Sequence, residues 1–327
     1  MGLNTENPKN TYLSPQKRTP MHPVDQLQIN FNPDQMALLN WAMAFLMFAV
    51  SLDIRLNEFK KVVDYPKTVL IGVGIQYLLF PMLTLCTIMV FQPPVSMALG
   101  MILVSMCPSG NMTNFLAHYA RGNIALSITL NAILVLSATV LTPAGFWFWS
   151  GFLPEATALR NTFEIGFFDM VLIILKLIIA PLAAGMALNH YAPQVVNKMR
   201  TWVQRLALII FFSILVLALW GNRANLTSYL GYVFLIILIQ NGIALTGGYW
   251  IGRAFKLPEP DCRTLCFEAG VHNTALGLLL IFRFFDGLGG MALIAAWYGI
   301  WDLVSGYALA HYWRSRSTQT TGPLVTD

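Results

Sequence analysis

The chain has 327 residues, of which 56% are hydrophobic and only 11% are charged, and its mean hydropathy is +0.61. So few charges cannot cover the water-facing surface of a soluble protein of this length, and we predict an all-α polytopic membrane protein. The net charge of +5 does not indicate nucleic-acid binding, because the lysines and arginines are distributed over alternate loops rather than gathered into one patch.

The chain begins with a polar stretch rich in Asn, Pro and Gln that lacks the apolar core of a cleavable signal sequence. We expect residues 1–33 to be a disordered tail, residues 34–313 to form the transmembrane domain, and residues 314–327 to be a cytoplasmic tail. A bilayer requires spans of about 20 apolar residues. Nine such spans follow in order: 35–53, 67–91, 96–118, 124–150, 165–190, 202–220, 226–252, 263–282 and 288–312.

The charges in the connectors predict the orientation. One set of alternate loops, together with the C-terminus, carries 13 lysines and arginines, whereas the opposite set carries only Arg160, Arg223 and Arg283. Cytoplasmic loops are enriched in positive charge, so we expect the C-terminus in the cytoplasm and, with nine spans, the N-terminus outside. The expected location is the inner or plasma membrane of the cell.

Polar and helix-breaking residues interrupt two of the apolar spans. The first interruption is CPSGNMTN at residues 107–114, and the second is EAGVHNT at residues 268–274. Pro108 and Gly110 loosen the backbone of the first. Lipid offers no hydrogen-bond partners, so irregular backbone at membrane depth must line a cavity or a site.

The two halves of the chain look related. Gln76 in the second span and the amide pair 240–241 in the seventh each precede an interrupted span, and Gly110 then matches Gly270. An odd number of spans separates the third from the eighth, which inverts one half relative to the other. This pattern predicts an inverted-repeat transporter whose two discontinuous helices cross near the membrane midplane. One half has four spans and the other five, so a first helix is absent.

Glu268 is the strongest single indication of function. An ionised carboxylate in hydrocarbon costs at least about 2.5 kcal/mol unless a cation or hydrogen bonds compensate it. The nearest basic residue on that helix is Arg263, five positions earlier and close to the membrane interface. We interpret Glu268 as a cation ligand, with a protonated or hydrogen-bonded carboxylate as the alternative.

Four further residues offer hard oxygen donors of the kind that a sodium ion prefers. They are Thr113, Asn114, Ser127 and Asn131. Ser127 and Asn131 are four positions apart, so they share one helix face. Each residue alone is equally consistent with a hydrogen bond between helices, and their convergence on Glu268 favours an ion site.

The run at 107–114, followed by ARGNIALS at residues 120–127 and LTP at 141–143, resembles the bile acid:sodium symporter family, and so does EAGVHNTAL at residues 268–276. The similarity extends from about Asn40 to Trp313. It implies a core bundle and a panel bundle, with two crossed discontinuous helices in the core, and relates the nine helices here to a ten-helix form whose first helix is missing.

The resemblance also implies two sodium ions. The first would be held by Thr113, Asn114, Ser127, Asn131 and Glu268. The second would be held by Gln76, Glu268, the backbone carbonyls of Ala269 and Val271, and the side chain of His272. The family usually has Gln at position 272, and an imidazole offers nitrogen where a hard ion prefers oxygen. Either His272 weakens this site or admits a proton, or the backbone carbonyls hold the ion while His272 bonds nearby.

The predicted function is sodium-coupled symport of an organic anion, a bile-acid-like steroid or a small carboxylate, by alternating access, and not enzymatic catalysis. Asn111 and Asn273 flank the crossing, where helix N-termini carry partial positive charge, and are the predicted substrate donors. One alternative is an arsenite-type export permease that uses Cys107 and Glu268. Another is a membrane enzyme or receptor that uses Glu268 with His272.

Overall fold

The computed structural model describes residues 22–27, 33–52, 66–163, 167–221 and 229–318, and every element in these ranges is helical. A 3-10 turn at Pro23–Gln26 comes first. The helices that follow are α1 (Pro33–Ser51), α2 (Pro66–Phe91), α3 (Val95–Met106), α4 (Asn111–Tyr119), α5 (Ile124–Ser150), α6 (Pro154–Asn161), α7 (Phe167–Tyr191), α8 (Pro193–Gly221), α9 (Leu230–Ala254), α10 (Glu259–Gly270), α11 (Thr274–Phe284) and α12 (Gly289–Thr318).

Six helical stretches within the described ranges are long and apolar enough to cross a membrane. They are α2, α5, α7, α9, the continuous pair α10 and α11, and α12. The all-α, multi-pass fold is thereby confirmed, while the number nine stays a prediction. Helix α3 is apolar but short, because the break around Pro108 ends it. Helix α8 begins at Pro193 and α12 continues to Thr318, since a helix need not end where its apolar residues end.

The connectors alternate between the two ends of the helical bundle. At one end, the backbone N–H of Ser96 donates to the carboxylate of Asp25, with 2.7 Å between the atoms. At the other end, the guanidinium of Arg263 donates to the carbonyl of Ala120, at 2.9 Å. The connectors that the charge pattern assigned to opposite sides of the membrane therefore lie at opposite ends.

Two groups of helices can be distinguished by their contacts. Helices α1, α7 and α8 pack against one another, and α2 to α5 with α9 to α12 form a larger group. The groups meet where α1 contacts α11 and where α7 contacts α5. This grouping corresponds to the small and large bundles expected of a panel and a core.

Both expected helix breaks are present and they touch. Helix α3 ends at Met106 before α4 begins, and α10 ends at Gly270 before α11 begins. The backbone N–H of Asn273 in the second break donates to the carbonyl of Pro108 in the first, at 2.8 Å. The two discontinuous helices therefore cross at their breaks, inside the larger bundle.

A lone amide supports the end of each interrupted half-helix. The Nε2 group of Gln76 donates to the carbonyl of Cys107 at 2.7 Å, and the Nδ2 group of Asn241 donates to the carbonyl of Gly270 at 2.8 Å. The last carbonyls of a helix have no partner within that helix, and these bonds supply one. Gln76 itself lies in a π-helical turn, Ile75–Leu79, a distortion that often marks functional positions.

Candidate functional site

Glu268 lies two residues before the end of α10 and is almost completely buried. One carboxylate oxygen accepts a hydrogen bond from the hydroxyl of Ser127 on α5, at 2.6 Å, and the other accepts from the hydroxyl of Ser109 in the first break. Both donors are neutral. Sequence reasoning placed Ser109 inside the motif but assigned it no contact, since only the crossing brings it to Glu268.

Three oxygen atoms converge at the hydroxyl of Ser127. It lies 2.6 Å from Oε1 of Glu268 and 2.8 Å from Oδ1 of Asn114. A hydroxyl carries a single proton, so it can donate to only one of these oxygens at a time. Carboxylate, amide and hydroxyl oxygens with too few protons between them form a donor set that suits a small hard cation.

The other two residues predicted for this donor set lie on the same helices. Thr113 on α4 is fully buried, and its hydroxyl donates to the carbonyl of Gly110 at 2.8 Å. Asn131 lies one turn after Ser127 on α5, is 2% exposed, and neither atom of its amide has a hydrogen-bond partner. Helices α4, α5 and α10 contact one another, so all five predicted positions lie around one helix junction.

The residues predicted for a second site lie on the α2 side of the crossing. The Oε1 atom of Gln76 is buried and has no hydrogen-bond partner. Phe80, one turn later, stacks on the imidazole of His272 with 4.6 Å between ring centroids, so this face of α2 lies against the second break. Ala269 and Val271, whose carbonyls were predicted as ligands, are buried on either side of Gly270.

His272 is held by rings rather than by hydrogen bonds. Its side chain is buried, and neither ring nitrogen has a partner among the described residues. Phe80 stacks on one side, and Tyr298 meets the ring edge-on at a centroid distance of 5.6 Å. His272 therefore makes no hydrogen bond to Glu268, which an acid–base pair of the kind an enzyme needs would require.

The two predicted substrate donors differ in what can be said of them. Asn273 caps α11, since its Oδ1 accepts from the backbone N–H of Leu276 at 3.1 Å, which leaves its Nδ2 group out of that bond. Asn111 is the first residue of α4, and its side chain lies outside the described part of the structure. Both residues begin half-helices at the crossing.

Sequence reasoning missed a second buried carboxylate, Asp302 on α12. It is 1% exposed, and its two oxygens accept from the backbone N–H of His272 at 2.8 Å and from the Nδ2 group of Asn241 at 3.0 Å. Asp302 is the lone acidic residue of the last apolar span, so the criterion that singled out Glu268 would have found it.

Comparison with known protein families agrees with the motifs at the crossing. The model of the sodium bile acid symporter family matches residues 40–229, more than half of the chain. The chain belongs to this family. The matched range includes the first break, Ser127 and Gln76, and thus most of the oxygen donors described above.

Curated relatives of this family member cover most of its length. An uncharacterized sodium-dependent transporter of Bacillus subtilis (strain 168), YocS, is 28% identical over 275 residues, which is 84% of this chain and 82% of that protein. The probable chloroplastic sodium/metabolite cotransporter BASS2 of Oryza sativa subsp. japonica is 26% identical over 85% of this chain and 64% of its own. BASS1 of Arabidopsis thaliana is 25% identical over 84% and 67%. The chain thus spans about two thirds of these plastid relatives.

These homologues are transporters and not enzymes, which confirms the choice of transport over catalysis. This family member is accordingly a multi-pass membrane protein with transporter homologues.

Proposed function

We propose that this chain is a sodium-coupled symporter that imports a small organic anion by alternating access of its two helix bundles. Its family and the printed names of its relatives support sodium-coupled transport of a metabolite. The observation that carries the proposal is the convergence of Asn114, Ser127 and Glu268, where three oxygens share one hydroxyl proton.

The first sodium ion would bind at this convergence. Its ligands would be the side chains of Thr113, Asn114, Ser127, Asn131 and Glu268. Four of these are oxygen donors on neutral groups and one is a carboxylate, so a single monovalent cation balances the charge. The unpartnered amide of Asn131 supports this assignment, because a buried amide without a partner is costly unless a ligand satisfies it.

The second ion would bind between α2 and the second break. Gln76 offers its unpartnered Oε1, and Ala269 and Val271 offer backbone carbonyls. Glu268 would be shared with the first ion. His272 contributes no oxygen, and its ring is fixed between Phe80 and Tyr298, so we expect this second ion to be bound more weakly than the first.

The substrate would be an anion held at the start of the half-helices. The N-termini of α4 and α11 both begin at the crossing and carry partial positive charge, which stabilises a carboxylate or sulfate without a buried arginine. Asn273, and Asn111 by its position, would add donors. The printed names of the relatives specify only a metabolite, so the class extends from small carboxylates to steroid anions.

Coupling would follow from the position of Glu268 between the two breaks. A sodium ion that orders this backbone also orders the half-helix N-termini that bind the anion, so each ligand raises the affinity of the other by the same factor. An inward sodium gradient then drives uptake. Movement of the panel group against the core group would expose the crossing to each side in turn. We place this transporter in the inner or plasma membrane, with its N-terminus outside and its C-terminus in the cytoplasm.

Uptake by proteoliposomes containing the purified full-length chain tests the proposal. A thermal-shift screen of small carboxylates and steroid anions, with sodium or choline as the cation, identifies a ligand that stabilises the protein only with sodium. That ligand, radiolabelled, should accumulate inside vesicles under an inward sodium gradient and not under an inward choline gradient. Accumulation that is equal under both gradients would refute sodium coupling.

The arsenite-type alternative depends on a reactive thiol at Cys107. That thiol is fully buried and donates to the carbonyl of Leu103 on its own helix, at 3.3 Å. Such a contact is typical of a packed cysteine rather than of a thiol ligand. Loss of transport on thiol alkylation, combined with indifference to sodium, would favour the permease over the symporter.

A further inference from the structure

Asp302 is a buried carboxylate that the proposed sodium sites do not use. Its two oxygens accept one bond each, from the backbone of His272 and the amide of Asn241. A carboxylate can accept about four hydrogen bonds, so about half of its capacity is unused.

No basic residue compensates this carboxylate among the described residues. The ion pairs found there join Glu259 to Arg253 and to Arg263, near one end of the bundle, and neither reaches Asp302. The two donors that do reach Asp302 are neutral. A buried charge that is bonded only to neutral groups is strongly destabilised unless a cation accompanies it.

Two further oxygens close to Asp302 lack hydrogen-bond partners. Asn241 uses its Nδ2 group to bond Asp302, and its Oδ1 is buried and unpartnered. Tyr298 lies one turn before Asp302 on the same face of α12, is completely buried, and has an unpartnered hydroxyl. Carboxylate, amide and phenol oxygens are donors for a hard cation, as at the convergence around Glu268.

We propose that Asp302, Asn241 and Tyr298 form an occluded site for one monovalent cation of the size of sodium, separate from the two ions assigned to Glu268. A single carboxylate among neutral donors balances one positive charge. The exposed fractions of Asp302 and Asn241 are 1% each, which leaves space for an ion and excludes the ammonium group of an organic substrate. Because Asp302 also holds the backbone of His272, the ion would stabilise the second break.

Sodium binding to the purified full-length chain separates this site from the proposed symport sites. Radioactive sodium bound at equilibrium is counted for the wild type, Glu268→Gln, Asp302→Asn and the double variant, with choline maintaining the ionic strength. Glu268→Gln removes the ligand shared by the two symport sites and should retain one sodium ion per chain. The double variant should lose that remaining ion, whereas Asp302→Asn alone should lose one ion and keep the rest.

Two outcomes contradict the proposal and leave the symporter function intact. One is a Glu268→Gln protein that binds no sodium, and the other is residual sodium that Asp302→Asn does not remove. Loss of sodium dependence in neither single variant would instead refute the symport sites. If Asp302→Asn does not fold, Tyr298→Phe in the Glu268→Gln background should weaken the residual binding by about tenfold. The matched control is Ser305→Ala, whose hydroxyl bonds only the backbone carbonyl of Asp302, and it should leave that binding unchanged.

Discussion

The hydroxyl of Ser127 donates to the carboxylate of Glu268 across a distance of 2.6 Å, although 141 positions separate the two residues in the chain. Ser127 belongs to α5 in the first half and Glu268 to α10 in the second. A cation bound between them is held by both halves at once. The bond therefore lies where ion binding can fix the relative position of the two breaks.

Replacement of Glu268 by Gln should abolish sodium-dependent uptake. The amide keeps the volume and can still bond Ser109 or Ser127, but it removes the charge that the proposed ions require. The thermal midpoint of the purified variant should stop responding to sodium and remain close to that of the wild type without sodium. A variant that still accumulates substrate under a sodium gradient would contradict the assignment.

Replacement of Ser127 by Ala should weaken sodium activation without eliminating it. Loss of one oxygen ligand and of a bond to a carboxylate costs about 1.5 kcal/mol, which raises the half-activating sodium concentration about tenfold. Thr129→Val is the matched control on the same helix, because the hydroxyl of Thr129 bonds only the carbonyl of Ala125. Sodium titrations of initial uptake rates should separate the two variants. Equal titration curves would remove Ser127 from the site.

Replacement of His272 by Gln should strengthen the second sodium site. The amide adds an oxygen donor where the imidazole offers only nitrogen, so the sodium affinity should rise severalfold and the uptake should depend more steeply on sodium. Uptake is measured against sodium concentration between about pH 5.5 and 8, the range in which an unperturbed histidine titrates. Unchanged sodium dependence across this range would show that His272 does not affect the site.

Replacement of Gly248 by Ala should destabilise the protein by about 1–3 kcal/mol. A Cβ atom at Gly248 would lie 2.5 Å from the carbonyl of Leu265 and 2.6 Å from the Cβ of Ala269, so α9 and α10 would have to separate. Gly242 on the same helix provides the control, since a Cβ there meets nothing within 4 Å. Thermal unfolding in detergent should show a lowered midpoint for Gly248→Ala and an unchanged or raised one for Gly242→Ala. Equal midpoints would mean that the close packing of the two helices is not required.

Much of the architecture could be predicted because a bilayer restricts what a sequence can do. Long apolar stretches must be helices in lipid, and a break such as that at Pro108 and Gly110 must be buried in protein. The positions of the breaks, the lone amides and Glu268 all followed from this restriction. Helix ends did not, because they depend on local capping and on packing beyond the membrane.

The partners of the polar residues could not be predicted with the same success. Ser109 was quoted in the first break without a role, and Asp302 was overlooked, although each bonds a residue of the second break. Gln76 was expected to serve a sodium ion, and its Nε2 group also supports the carbonyl of Cys107. Which atoms of a side chain remain available depends on neighbours that are distant in sequence.

The sequence by itself determined that this chain is a helical membrane transporter with a carboxylate, Glu268, at an interrupted span. Hydrophobic length and the cost of burying charge are local quantities, so they can be read from a linear sequence. Only the tertiary structure decided that Ser127 and Ser109 both bond Glu268 and that His272 lies between two aromatic rings. Those relations arise where the two breaks cross, and a crossing exists only after the two halves have packed together.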